Sequence, residues 1–194
     1  MTARAATIPV DTALQPSAHR TFRGWRWVAV GLAFPVAGYI GWGISGHVDG
    51  VAPALIGGAI TGAGLAAVLC WAAKGALGEL VPWVVVSAVG YSVGLAVGAA
   101  VVGYDTDTAS LAVLGLISGA VMGAGQGLAL ARQGHPRLAA AWGAAMPVLF
   151  ALGWSAASTI GVSVEDQFTV FGASGALVFT LLSGLVLARF EGES

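Results

Sequence analysis

Between Asp107 and Arg132 the chain runs without a charge, and Gly115, Gly119, Gly123 and Gly127 recur there at every fourth position. As a helix this stretch is about 36 Å long, enough to cross the ~30 Å hydrocarbon core of a bilayer. Residues four apart share a helix face, so the glycines form one bare stripe. In water such a stripe would bury little apolar surface. In lipid it lets a second backbone approach closely, and dispersion and Cα–H contacts replace the missing hydrophobic drive.

The rest of the chain has the same character. Of its 194 residues 57% are hydrophobic and only 9% charged, where soluble domains carry about 25% charged residues. Six apolar runs follow one another at about 25–45, 51–73, 81–103, 109–131, 138–162 and 168–189. Each is long enough to span, and the short connections make neighbours antiparallel. The expected fold is an all-α integral membrane protein with six transmembrane helices. Residues 1–22, with Pro9 and Pro16 and no periodicity, are expected to be a disordered cytoplasmic tail. Residues 23–190 form the membrane domain and 191–194 a short cytoplasmic end. The net charge of −1 excludes a basic field for nucleic acid. The single cysteine, Cys70, excludes an internal disulfide and sits in an apolar run as a small hydrophobe.

Charge placement sets the orientation. The loops after the second and fourth runs, with the two ends, hold Arg4, Arg20, Arg23, Arg26, Lys74, Arg132, Arg137 and Arg189, which are all the basic residues. By the positive-inside rule, both termini are expected in the cytoplasm. Trp25, Trp27, Trp71, Trp83 and Trp142 lie near the same end, where indole suits the headgroup level.

The runs also resemble one another. Gly127 to Arg132 reads GLALAR and Gly184 to Arg189 reads GLVLAR; at that offset the glycine stripe meets Gly172, Ala176, Thr180 and Gly184. The second run repeats the pattern through Gly58 and Gly62, and Trp27, Trp83 and Trp142 open the odd runs at matching depth. Three tandem hairpins, about 23–78, 79–134 and 135–190, are therefore expected around an approximate three-fold axis.

Gly119-Ala120, Gly123, Gln126, Arg132, Pro136-Arg137 and Trp142 resemble a pattern in uncharacterised glycine-rich bacterial membrane proteins, which carry a G-A-x-x-G-x-x-Q helix motif. That resemblance implies a bacterial inner-membrane location and no particular activity. Here Leu65 and Ser183 stand where the other units would repeat Gln126, and no Trp follows Gln126. The six spans, the chain length and the Ala29, Ala33, Ala37 stripe are similar to the substrate-binding subunits of energy-coupling-factor vitamin importers. That likeness implies docking of a transmembrane partner through the first helix, and the tandem repetition departs from it.

Polar groups inside a membrane mark either packing or a pathway. Gln126 is read both ways, as a bond to a neighbouring helix or as a solute ligand. Pro35 and Pro147 sit inside the first and fifth runs and each frees a carbonyl. With Tyr39, Tyr91 and Ser155 they outline an expected solute pocket near mid-bilayer. Asp49, Asp105, Asp107, Glu165 and Asp166 place an acidic station at each outer turn. These acids are read either as a cation-gathering mouth or as helix caps. No catalytic motif, metal-ligand spacing or cofactor signature is present. The expectation is binding or permeation of a small solute or cation, with the lipid bilayer as the principal partner. The alternative is a non-catalytic accessory subunit that self-associates or docks other transmembrane helices through Gly115, Gly119, Gly123, Gly127, Gly58, Gly62, Gly172 and Gly184.

Overall fold

The computed structural model describes residues 24–73, 77–160 and 169–190. The expected tail, the C-terminal end, Arg4, Arg20, Arg23, Lys74, Glu165 and Asp166 lie outside the described residues. Six helices follow in order: α1 Gly24–Ser45, α2 Val51–Ala73, α3 Leu80–Val101, α4 Thr108–Arg132, α5 Pro136–Thr159 and α6 Ala173–Arg189. Among the described residues there is no strand. The first five helices are long and apolar enough to cross a membrane.

Their ends follow from local chemistry. After α3, Gly103 takes a left-handed φ of 65°, and the Tyr104 N–H returns to the Ala99 carbonyl at 2.8 Å. Gly134 does the same after α4 (φ 87°), and the His135 N–H closes on the Leu130 carbonyl at 3.1 Å. Pro136 then opens α5, where its missing N–H costs nothing.

The helices close into a ring in chain order: each packs on its neighbours in sequence, and α6 returns to α1. Glycine makes the close approaches. A Cβ on Gly115 would lie 2.7 Å from the Phe150 carbonyl oxygen, and one on Gly127 3.0 Å from that of Ala139, so the α4 stripe faces the α5 backbone. Gly58 and Gly62 of α2 meet the α3 backbone at Ser92 and Ser87. A third stripe, Gly90, Gly94 and Gly98 of α3, meets α4 at Met122, Ser118 and Leu114. The outside of the ring is apolar. Val81, Val85, Val89, Val93, Val97 and Val101 line one exposed face of α3, and Leu177, Leu181 and Leu185 one of α6. An apolar surface of that extent fits lipid as the solvent.

Aromatic rings fill the middle. Phe34 of α1 stacks on Phe171 with centroids 4.9 Å apart, and Phe150 of α5 meets Tyr91 at 5.4 Å and Phe179 at 5.5 Å. Trp27, Trp83 and Trp142 are likewise buried, turned into the ring and not half-buried on its outer surface. Hydropathy and depth do not tell an indole turned inward from one turned to lipid.

The sixth run is shorter than expected. In place of a helix over 168–189, α6 starts at Ala173 and has 17 residues, about 25 Å at helical rise. Thr169, Val170 and Phe171 are non-helical and buried. Gly172 is the N-cap of α6, with extended backbone (φ −72°, ψ −169°), and is not a member of a helical stripe. Phe171 takes its place in the aromatic cluster and Thr169 in a set of buried hydrogen bonds, which together outweigh one more helical turn.

The glycine contacts predict contrasting costs. Gly119→Ala would set its Cβ 2.8 Å from Pro147 Cα, whereas Gly43 has nothing within 4 Å of that position. Gly119→Ala is expected to destabilise by about 1–3 kcal/mol and Gly43→Ala to be neutral or slightly stabilising. Unfolding of the purified variants in mixed micelles measures both, and equal stabilities would refute the packing role of the α4 stripe.

Candidate functional site

Among the described residues, buried polar side chains from different helices meet one another in two places. The first surrounds the break before α6. Thr169 is fully buried, and its carbonyl accepts from the Tyr91 hydroxyl at 2.6 Å. Its hydroxyl lies 2.8 Å from that of Thr61 on α2 and 3.1 Å from the Gly38 carbonyl of α1, and the Thr61 hydroxyl lies 3.3 Å from the Ala37 carbonyl. Two hydroxyl hydrogens serve three such contacts, so only two are donated at once. The shortest arrangement has Thr61 donating to Thr169 and Thr169 to Gly38.

Glycine makes room for this set. A Cβ on Gly41 would overlap the Thr61 hydroxyl, and one on Gly57 would overlap the Thr169 methyl. The segment 169–172 is thus non-helical backbone inside a helical membrane protein, held from α1, α2 and α3. Such backbone occurs at membrane depth where protein buries it or where it lines a cavity. The first backbone bond of α6 runs from the Ala176 N–H to the Gly172 carbonyl at 2.9 Å, and the cap carries no side-chain acceptor. The Trp154 indole N–H, whose ring meets Phe171 at 6.0 Å, is buried without a hydrogen-bond partner, and so is the Thr180 hydroxyl on α6.

The second place is a bridge across α3, α4 and α5. Fully buried Gln126 donates to the Ser87 hydroxyl at 2.8 Å and accepts from the Trp142 indole at 2.7 Å, while Ser87 donates to the Trp83 carbonyl at 2.7 Å. Of the two readings of Gln126, these bonds are those of the packing role. Trp27 is held differently, donating to the Thr180 carbonyl at 2.6 Å. Trp83 Nε1 has no partner, and the residue that corresponds to Gln126 in the first unit is Leu65, which has no acceptor to offer.

The other expected residues are dispersed. Pro35 and Tyr39 are exposed on the outer face of α1. Pro147 frees the Gly143 carbonyl, which turns to Gly123 across the α4 contact, 3.0 Å from where a Cβ would stand. Ser155, near the far end of α5, accepts through its carbonyl from the Ser158 and Thr159 hydroxyls. Tyr91 and Gln126 belong to the two separate hydrogen-bonded sets. Thr61, Thr169, Gly38, Gly41 and Gly57 escaped the reading of the sequence. The signal for them was a Thr inside a Gly-rich run, and a Phe-Thr-Val-Phe-Gly segment whose β-branched pair precedes a glycine.

Of the acidic stations, Asp49 and Asp105 are exposed in their turns. Asp107 caps α4, accepting from the Ala109 N–H at 2.9 Å and the Ser110 N–H at 3.1 Å, and from the Ser110 hydroxyl. The Ser110 hydroxyl, then its N–H, hold this carboxyl below its ordinary range. The first bond of α2 goes to the Gly50 carbonyl, so Gly50, and not Asp49, stands at its start. Among the described residues no three His, Cys, Asp or Glu side chains converge as a metal ion requires.

No protein-family model, curated protein or solved structure is similar enough to the chain to count as a match.

Two predictions follow from these bonds. Gln126→Leu strands the Trp142 indole N–H, at an expected cost of about 1–2 kcal/mol. The protein should still fold, since it already tolerates the unpartnered Trp83 Nε1; an unfolding midpoint equal to wild type would show the bridge to be idle. Asp107→Ala should lower the melting temperature near neutral pH. Because the folded carboxyl is depressed, its contribution is intact above the ordinary value of 3.8 and fades as pH falls below that. The gap between variant and wild type should therefore narrow only in strong acid, and a gap constant with pH would count against the cap.

Proposed function

We propose that the chain is a six-crossing membrane protein that binds or passes a small polar solute at the break before α6. The observation that carries this reading is the buried, non-helical Thr169–Gly172 segment, held by hydroxyls and carbonyls from three helices. Transporters place substrate sites at such discontinuous helices, where backbone groups have no partner in their own helix. The buried, unpartnered Trp154 N–H and Thr180 hydroxyl support it, because a polar solute or water would supply what they lack. On this reading α6 with segment 169–172 completes the sixth crossing. The basic ends face the cytoplasm of a bacterial inner membrane, in keeping with the charge pattern and the glycine-motif resemblance. The three inward indoles on α1, α3 and α5 support an approximate three-fold repeat in which only the second hairpin pair retains the glutamine.

The accessory-subunit reading needs free glycine faces. Gly58 and Gly62 are spent on α3, Gly115 through Gly127 on α5, and Gly184 on Trp27. That use of the stripes favours the solute reading.

Liposome swelling tests it. Vesicles carrying the full chain should swell faster than protein-free vesicles in isosmotic glycerol, urea or glycine, for at least one of the three. Thr169→Val, which keeps the shape and removes the hydroxyl, should slow that swelling several-fold. Identical swelling with and without protein for all three solutes would overturn the proposal.

A further inference from the structure

Four uncharged oxygens close a loop where α1 and α2 meet the break before α6. The Thr169 hydroxyl lies 3.1 Å from the Gly38 carbonyl oxygen and 2.8 Å from the Thr61 hydroxyl. The Thr61 hydroxyl in turn lies 3.3 Å from the Ala37 carbonyl oxygen. Ala37 and Gly38 are successive residues of α1, and successive carbonyl oxygens of a regular helix stand roughly 3.5 Å apart. When flat, a loop with such sides sets each oxygen roughly 2.3 Å from a common centre. Ca2+, and Na+ of nearly equal radius, takes oxygens at about 2.3–2.6 Å.

The loop does not satisfy itself. Both threonines are fully buried, and their two hydrogens serve three contacts, so one pair of oxygens always meets lone pair to lone pair. In the shortest arrangement that pair is the Thr61 hydroxyl and the Ala37 carbonyl. Buried acceptors facing each other without a hydrogen repel, and a cation between them makes the same geometry favourable. A fifth oxygen stands beside the loop. The point where a Cβ on Gly41 would stand is 2.9 Å from the Thr169 hydroxyl and 3.0 Å from the Gly57 carbonyl oxygen, and it overlaps the Thr61 hydroxyl. Glycine at 41 leaves that space to the oxygens.

We infer that this loop is a binding site for one Na+ ion, held by the Ala37 and Gly38 carbonyls and the Thr61 and Thr169 hydroxyls. The ligand set selects the ion. All four ligands are oxygens, which suits a hard cation, and none is charged, which suits a monovalent ion over Ca2+ or Mg2+. The loop is too tight for the larger K+. Carbonyls at interrupted membrane helices hold Na+ in this way. Without a carboxylate the affinity is expected to be millimolar. The ion joins α1 and α2 to the approach to α6, and the Tyr91 hydroxyl, donating to the Thr169 carbonyl, positions that approach. The site uses the break on which the solute reading rests, yet it requires no solute to pass.

The sodium NMR linewidth of NaCl solutions containing the purified full chain in detergent tests the site. Wild type should broaden the line saturably at millimolar Na+, and excess KCl should not reverse the broadening. Thr61→Val and Thr169→Val, which keep the shape and lose an oxygen, should each raise the half-saturating Na+ concentration at least tenfold. Thr61→Ser, which keeps the oxygen, should stay within threefold of wild type. Circular dichroism reports whether each variant is folded, and if neither valine variant is, the wild-type titration with its KCl control decides alone. No saturable broadening in wild type, reversal by K+, or undiminished binding in a folded valine variant would overturn the site. Swelling absent with Na+ binding intact would sink the solute reading alone, and the converse would sink this inference alone.

Discussion

Backbone-to-backbone contact between helices is the constraint on which this structure depends. In lipid, one apolar side chain is as well solvated as it is against another, so helices associate only where packing beats that solvent. The glycines of α2, α3 and α4 remove the side chains that would hold the axes apart. Carbonyl oxygens of one helix then reach the Cα hydrogens of the next, as Gly115 and Gly127 do against α5. The contact is unforgiving, because a methyl group on these carbons meets backbone and not a movable side-chain tip.

Close seams at the rim leave the aromatic residues to fill the centre. Phe34, Tyr91, Phe150, Phe171 and Phe179 form one connected set, contributed from α1, α3, α5, α6 and the segment just before α6. Some polar groups beside them are held by partners that converge from several helices. Thr169 joins three other residues and Gln126 two, each from a different helix, so neither is held by a single neighbour.

Much of this was legible in the residues. Apolar runs bounded by charges located all six helices, and four-residue glycine spacing located the α4 and α2 seams. The Gly90, Gly94, Gly98 stripe obeys the same spacing and was open to the same reading. The break before α6 was not, since Phe-Thr-Val-Phe-Gly is as apolar as a helix and differs only in where its hydrogen bonds go. That choice is made by Thr61, Tyr91 and Gly38, residues between about 78 and 131 positions away. The inward turn of Trp27, Trp83 and Trp142 was hidden for a related reason: rotation about a helix axis depends on neighbours that no single run contains.

The bond from Trp27 to the Thr180 carbonyl spans 153 residues. At a ribosomal pace of about 5–20 residues per second, roughly 8–30 s separate the emergence of the donor from that of its acceptor. Throughout that interval the acceptor has not yet been made, so this bond can join α1 to α6 only after the last helix has been synthesised.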